Sequence, residues 1–272
     1  MTCPVPLDPM SDPRQPHSQH RDDPTLHASD VAAARPATPR TGVDSGGALN
    51  ASSPAVREFF GDRMGAVEHY AELLAEEGVL RGLIGPREVP RLWERHILNC
   101  AAVAQLMPDA GTVVDLGSGA GLPGIVLAAM RPDLDVVLLE PMERRTAWLE
   151  EVRSSVGLDH VRVRRGRAED MVGQLSADAV TARAVASMDR LVPWAMPLLK
   201  QGGVLLAMKG DRGPAELEEA RAVIDSWGGG AGEVVTVGTV PDVEATTVVR
   251  VVRERAVVPS RPQRPARRRR RD

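Results

Sequence analysis

The chain has 272 residues, a formal net charge of −3 and two cysteines, Cys3 and Cys100. This length suits one large α/β domain with extensions, and the charge argues against a surface devoted uniformly to nucleic acid. Two cysteines exclude a disulfide framework and a cysteine-rich metal site. Because the sequence has no run of 18 apolar residues and no basic-then-apolar leader, we expect a cytoplasmic protein with no membrane segment and no metal.

The two ends of the chain differ in composition from the middle. Residues 1–52 are rich in proline, serine, aspartate and histidine, and residues 256–272 end in the arginine block 267–271. Such segments bury too little apolar surface to offset chain entropy, so we expect both to be disordered. The arginine block is either a solvated arm or an electrostatic contact to RNA phosphates.

Residues 53–110 are predicted to form a helical cap. Apolar residues recur at helical spacing in two stretches, residues 53–78 and 90–107. Gly61 and Gly65 are expected to weaken or bend the first helix. Arg95 and His96 lie on the second helix and either point toward a substrate or are a solvated arginine and a packed histidine.

The most informative stretch is Thr112–Gly124, TVVDLGSGAGLPG. Three β-favouring residues end at Asp115, four glycines follow, and a proline precedes an apolar helical run over residues 124–130. Glycines permit positive φ and let a ligand approach bare backbone. A strand, a glycine turn and a helix N-terminus together predict a seat for a nucleotide-like ligand.

Asp115 bears on which ligand this is. The spacing of Gly119, Gly121 and Gly124 fits the dinucleotide fingerprint, but that pattern alone is weak evidence. A carboxylate beside the loop would repel a pyrophosphate and suit a cationic ligand. S-adenosylmethionine carries an ammonium and a sulfonium, and Asp-x-Gly-x-Gly-x-Gly resembles the signature of class I methyltransferases.

Glu140 ends the next predicted strand, about 20 residues beyond the loop. An acid at that place accepts hydrogen bonds from ribose hydroxyls. The plain alternative is an ordinary buried βαβ unit in which both acids cap helices.

The rest of the chain alternates between strand and helix patterns. Strands are predicted at residues 135–140, 161–165, 177–182 and 203–208, and helices at 142–156, 168–175, 188–199 and 215–227. Two β-rich segments, 233–240 and 245–252, lie too close for a crossover helix and should pair antiparallel. We therefore predict a class I S-adenosylmethionine-dependent methyltransferase fold over residues 111–255. It has a Rossmann-like seven-stranded sheet whose last strand pair is antiparallel, and it follows the helical cap in the chain.

Five motifs occur in the order of a known family: RHILNC at 95–100, DLGSGAGLPG at 115–124, LLEPMERR at 138–145, TARA at 181–184 and AMKG at 207–210. Over roughly residues 56–253 the chain resembles the ribosomal RNA small-subunit methyltransferase G family, also called glucose-inhibited division protein B. The resemblance implies methylation of guanine N7 at one position in 16S ribosomal RNA with S-adenosylmethionine. The expected partner is that RNA or the small ribosomal subunit, and we expect a monomer.

The cofactor residues come from the loop pattern and from the resemblance. The loop and strand patterns indicate Asp115, Gly119, Gly121 and Glu140. The resemblance assigns Gly117, Leu122, Ala168, Glu169 and Arg183. Two positions depart from the family: Glu140 stands where many relatives have Asp, and Asn99-Cys100 replaces an Asp-Ser pair.

Guanine N7 has a free in-plane lone pair, so methyl transfer requires no base to remove a proton. We therefore predict catalysis by positioning and name no catalytic acid or base. A basic rim for RNA phosphates is expected from Arg95, His96, Arg144, Arg145 and Lys209. An NAD-dependent oxidoreductase, a small-molecule methyltransferase and a non-catalytic ribosome-assembly factor are the alternatives.

Overall fold

The computed structural model describes residues 49–257. The predictions for residues 1–48 and 258–272, including the arginine block, lie outside the described residues. No helix within residues 49–257 has the length and apolar character needed to cross a bilayer.

Seven strands form one sheet: β1 (Gly111–Leu116), β2 (Leu134–Glu140), β3 (Val161–Arg165), β4 (Ala177–Arg183), β5 (Leu199–Lys209), β6 (Glu233–Val237) and β7 (Thr246–Val252). Their order across the sheet is β3-β2-β1-β4-β5-β7-β6. The first five are parallel, and β7 is antiparallel to both β5 and β6. The predicted antiparallel pairing is confirmed. It forms because the loop between β6 and β7 is too short for a crossover helix.

Eight α-helices occur in the described chain: α1 (Pro54–Phe60), α2 (Met64–Glu77), α3 (Asn99–Ala102), α4 (Gly124–Met130), α5 (Glu143–Val156), α6 (Met188–Ala195), α7 (Gly213–Glu219) and α8 (Arg221–Ser226). The first cap helix is interrupted at Gly61, whose φ of 50° is left-handed, and a 3₁₀ turn follows. The predicted second cap helix is irregular, since Trp93–Leu98 is π-helical and α3 continues it for one turn. The single helix predicted at 215–227 is two helices, α7 and α8.

The cap shares its core with one face of the sheet. Buried cap residues such as Tyr70, Leu74 and Ile97 belong to the same apolar cluster as Ile125 of α4 and Trp148 of α5. A second cluster covers the opposite face and is formed by α6, α7 and α8 against the sheet. Side chains alternate along a strand, so the two faces of β1 supply both clusters, and the carboxyl ends of β1, β2, β4 and β5 meet at one edge.

Candidate active site

Two cavities lie at the carboxyl edge of the parallel strands. The first, here called the loop cavity, has a volume of about 700 Å³ and is lined by the glycine loop and the end of β2. The second, here called the cap cavity, has a volume of about 800 Å³ and lies between the cap, the end of β4 and the loop before β7. Ala184 and Val185 line both cavities, so the two spaces meet there.

The glycine loop is folded back by its own backbone and by two acids. Gly117 and Gly119 have φ of 72° and 57°, which favours glycine at both positions. The Ser118 hydroxyl donates to the Asp115 carbonyl at 2.9 Å, and the Gly121 N–H donates to the Ser118 carbonyl at 2.7 Å. A tight turn results, and Gly117 borders the loop cavity.

Glu140 closes this turn from the neighbouring strand. Its side chain is only 2% exposed. Oε2 accepts the Gly119 N–H at 3.0 Å, and Oε1 accepts the Met142 N–H at 2.9 Å. Because a carboxylate has about four acceptor positions, each oxygen keeps capacity for a ligand hydroxyl in the loop cavity that Glu140 lines.

Asp115 lies behind the loop and lines neither cavity. Its Oδ2 accepts the Gly124 N–H at 3.1 Å, and its Oδ1 accepts the Thr181 hydroxyl at 3.1 Å. Burial raises the pKa of Asp115 from 3.8 to about 6, against hydrogen bonds that lower it. Asp115 thus anchors the start of α4 and positions the loop, and its contact with a cationic ligand, directly or through water, stays a prediction.

The carbonyl of Ala120 is held by two buried aromatic side chains that sequence reasoning did not identify. The Tyr70 hydroxyl on α2 donates to it at 3.1 Å, and Trp148 Nε1 on α5 donates to it at 2.8 Å. Both side chains are almost fully buried. A buried Tyr or Trp requires a partner for its polar atom, and this requirement was the only available signal.

The predicted cofactor residues divide into two groups. Those that line the loop cavity are Gly117, Glu140, Ala168 and Glu169. Gly119, Gly121 and Leu122 lie behind it, and an added Cβ on Gly121 would meet Ile125 Cγ1 at 2.7 Å. Position 121 therefore requires glycine both for packing and for its φ of 108°.

Arg183, at the end of β4, lines the cap cavity instead of the loop cavity. Its Nη1 donates to Cys100 Sγ at 3.1 Å, and its Nη2 donates to the Arg95 carbonyl at 3.0 Å and contacts His96 Nδ1 at 2.7 Å. His96 Nε2 lies 2.7 Å from Oε2 of Glu88. The cap and the sheet therefore meet at this guanidinium.

The predicted basic rim is not one continuous surface. Burial and the Arg183 charge lower the pKa of His96, so its ring is neutral at pH 7 and does not supply a cation for phosphate. Lys209 Nζ is paired with Glu216 Oε2 at 2.8 Å and donates to the Ala186 carbonyl at 2.6 Å. Its side chain is 12% exposed and lines the cap cavity, where its ammonium is already paired and braces the loop after β4.

The other rim residues remain near the two cavities. Arg95 lines the cap cavity, and Arg145 lines the loop cavity with its Nη1 3.8 Å from Glu140 Oε2. Arg144 is exposed at the start of α5.

Four exposed arginines, Arg162, Arg164, Arg167 and Arg190, form a group that we call the arginine strip. Arg162 and Arg164 pair in register with Val137 and Leu139, which places them on the α6 side of the edge strand β3. Arg167 and Arg190 line the loop cavity, and Arg190 lies 5.7 Å from the Trp194 ring centroid. Within residues 49–257 none of the four has a carboxylate within 4.0 Å.

Comparison with known proteins identifies the family. The model of the family described as rRNA small subunit methyltransferase G matches residues 63–241. A protein of that name from Thermobifida fusca (strain YX) is 58% identical over 199 residues, covering 73% of this chain and 84% of the relative. Its namesake from Salinispora tropica is 50% identical over 234 residues, covering 82% and 96%.

Among solved structures, precorrin-6y C5,15-methyltransferase from Geobacter metallireducens GS-15 aligns with a TM-score of 0.45 and 16% identity. The alignment covers 62% of this chain and 89% of that one. The family model matches more than half of this chain. The alignments with the Thermobifida and Salinispora proteins cover most of the length of each of those proteins. The chain therefore belongs to the rRNA small subunit methyltransferase G family.

Proposed function

We propose that this chain transfers the methyl group of S-adenosylmethionine to N7 of one guanine in small-subunit ribosomal RNA, with the donor in the loop cavity and the base in the cap cavity. The observation that carries this assignment is the shared boundary at Ala184 and Val185. Both volumes lie in the range of small-molecule sites. The methyl donor and the guanine that accepts the methyl group would lie on the two sides of this boundary. The methyl group can then pass directly between them, with no covalent enzyme intermediate.

The residues of the loop cavity fit a nucleoside. Glu140 offers acceptors for ribose hydroxyls, Gly117 offers bare backbone, and Ala168 with Glu169 borders the same space. The family assignment disfavours the oxidoreductase alternative.

The tasks left to the protein are positional. When bound, S-adenosylmethionine supplies a methyl group already activated by its sulfonium. The chain holds the glycine loop rigid through Glu140, Tyr70 and Trp148, which fixes one side of the boundary. On the other side, Asp242 and Glu244 line the cap cavity and can offset the positive charge that guanine gains on N7 methylation.

The arginine strip is the surface that we assign to the RNA backbone. Arg162, Arg164, Arg167 and Arg190 are exposed, and two of them border the loop cavity. Arginine is well suited to phosphate, and each phosphate neutralised steepens the salt dependence of binding. In this proposal the strip takes over phosphate binding from His96 and Lys209, the two members of the predicted rim whose side chains are held by other residues of the chain.

The direct test is mass mapping of N7-methylguanosine in small-subunit RNA from cells with and without this protein. We expect one modification to disappear and to return with the wild-type chain but not with Glu140→Ala. Purified protein is then offered naked RNA and assembled subunits in separate reactions. An unchanged modification map, together with no methyl transfer to either RNA, would refute the proposal.

The RNA surface is tested separately with the double variant Arg162→Glu, Arg164→Glu. We expect KM for RNA to rise tenfold or more and the slope of binding against salt to fall by about two, while calorimetry finds the same affinity for S-adenosylmethionine. The matched control reverses two exposed arginines that line neither cavity, Arg57 and Arg221. Equal effects of the two double variants would remove the strip from RNA binding.

A further inference from the structure

The contacts of Arg183 determine the tautomer of His96. A guanidinium has five N–H donors and no acceptor. Since Arg183 Nη2 lies 2.7 Å from His96 Nδ1, that nitrogen must be unprotonated and accept the hydrogen bond. The ring proton therefore sits on Nε2, which donates to Glu88 Oε2 at 2.7 Å.

We propose that Glu88 and His96 are positioning residues that orient Arg183 at the boundary between the two cavities. Glu88 stabilises the Nε2–H tautomer that the Arg183 contact also requires, and His96 Nδ1 helps to hold the guanidinium in one orientation. This inference rests on the proposed function, because it assigns a role to the place where the donor and the base meet. Neither Glu88 nor His96 lines either cavity, so both act through Arg183.

The remaining donors of Arg183 explain why its orientation matters. Three of its hydrogen bonds go to Cys100 Sγ, the Arg95 carbonyl and His96 Nδ1. Its Nε–H and a second Nη1–H make no further hydrogen bond within residues 49–257, and Arg183 lines the cap cavity directly before Ala184. These N–H groups can donate to a ligand oxygen. Loss of the His96 contact would leave the guanidinium held by two hydrogen bonds, so its orientation would be less tightly fixed.

Burial of the His96 ring favours the neutral form that this contact requires. His96 is half-buried, and the desolvation that lowers its pKa exceeds the opposing effect of Glu88. The charged groups that face the ring are Glu88 and Arg95 from the cap and Arg183 from β4. A protonated ring would place an N–H against the Arg183 N–H, so the neutral form is the one compatible with the contact.

The spectroscopic test uses the full ¹⁵N-labelled chain at pH 7.5. The His96 imidazole signals are identified by their loss in His96→Phe. We expect the Nε2–H tautomer in the wild type and in Glu88→Gln, which keeps an acceptor oxygen. In Glu88→Ala the Nδ1–H form should increase, because only the Arg183 contact then opposes it. A charged ring or an Nδ1–H tautomer in the wild type would overturn the inference whether or not methyl transfer is observed.

The kinetic test asks whether the orientation affects turnover. His96→Phe should lower kcat/KM for RNA or for S-adenosylmethionine about tenfold, since it removes a hydrogen bond to a charged group. Glu88→Ala should lower it less, and Glu88→Gln should restore it. The control is His69→Phe, because His69 is an exposed histidine of α2 that contacts Ser155.

Urea unfolding of every variant separates misfolding from misorientation. If His96→Phe does not fold, the half-buried Glu88 provides the test through its Ala and Gln variants. Equal kcat/KM for His96→Phe and His69→Phe, or for Glu88→Ala and the wild type, would show that the two residues position nothing. Absence of methyl transfer by the wild type would instead refute the proposed function and leave the tautomer result standing.

Discussion

Glu140→Gln tests whether one buried carboxylate both closes the glycine loop and receives the cofactor. The substitution preserves size but replaces one acceptor oxygen with an NH₂ donor. The Gly119 N–H at 3.0 Å and the Met142 N–H at 2.9 Å bind different oxygens of Glu140. One of these N–H groups must therefore face a donor in the variant, whichever way the amide is turned.

The size of the effect follows from these contacts. A buried donor left without a partner costs about 1–3 kcal/mol, and the other hydrogen bond loses its charged acceptor. Relief from burying a charge offsets part of this, so we expect a loss of about 2–3 kcal/mol. In a domain of this size such a loss lowers Tm by roughly 4–12 °C. Loss of the charged acceptor for ribose should weaken S-adenosylmethionine binding by roughly 10- to 150-fold.

Two measurements on the protein without RNA separate the two roles of Glu140. Urea unfolding gives the stability of the unliganded chain, and calorimetry gives the Kd for S-adenosylmethionine. The control is Glu72→Gln, because Glu72 is exposed and lines neither cavity. If Glu140→Gln unfolds earlier but binds the cofactor normally, Glu140 is structural only. If both quantities match the wild type, the reasoning about its two oxygens is refuted.

Three further outcomes follow from the same contacts. Gly117 has a φ of 72°, and an added Cβ would lie 2.9 Å from Val185 Cγ2. Gly117→Ala should therefore lower the free energy of unfolding in urea by about 1–2 kcal/mol and weaken cofactor binding; wild-type values would contradict this. The folded pKa of Asp115 is raised to about 6, so the carboxyl group binds its proton more tightly in the folded chain than in the unfolded chain. The free energy of unfolding should therefore fall by about 3 kcal/mol as pH rises from roughly 4 to 6, and Asp115→Asn should abolish that fall. Parallel pH curves for the variant and the wild type would exclude this role of Asp115. Lys209→Ala leaves half-buried Glu216 without its cation and should cost about 1–3 kcal/mol of stability while leaving the salt dependence of RNA binding unchanged; wild-type stability with a shallower salt dependence would return Lys209 to the rim.

The sequence by itself determined the parts of this protein that depend on neighbouring residues. Thr112–Gly124 predicts a strand, a positive-φ turn and a helix start, and the structure has β1, the glycine turn and α4 in that order. The short connection before β7 predicts the antiparallel end of the sheet. Glu140 is at the predicted place because it ends the adjacent parallel strand. These features follow from backbone preferences, periodicity and connection length, which are local properties of the chain.

Only the tertiary structure decided which side chains meet. Arg183 lies 87 positions along the chain from His96, and their contact converts a predicted rim cation into a neutral acceptor. Lys209 is paired with Glu216 in the same way, and the carboxylate of Asp115 is held by the Gly124 N–H and the Thr181 hydroxyl. A charged residue has the same identity whether it is solvated or paired. Its partner is set by the packing of distant elements, and that packing decides whether its charge is available to a ligand.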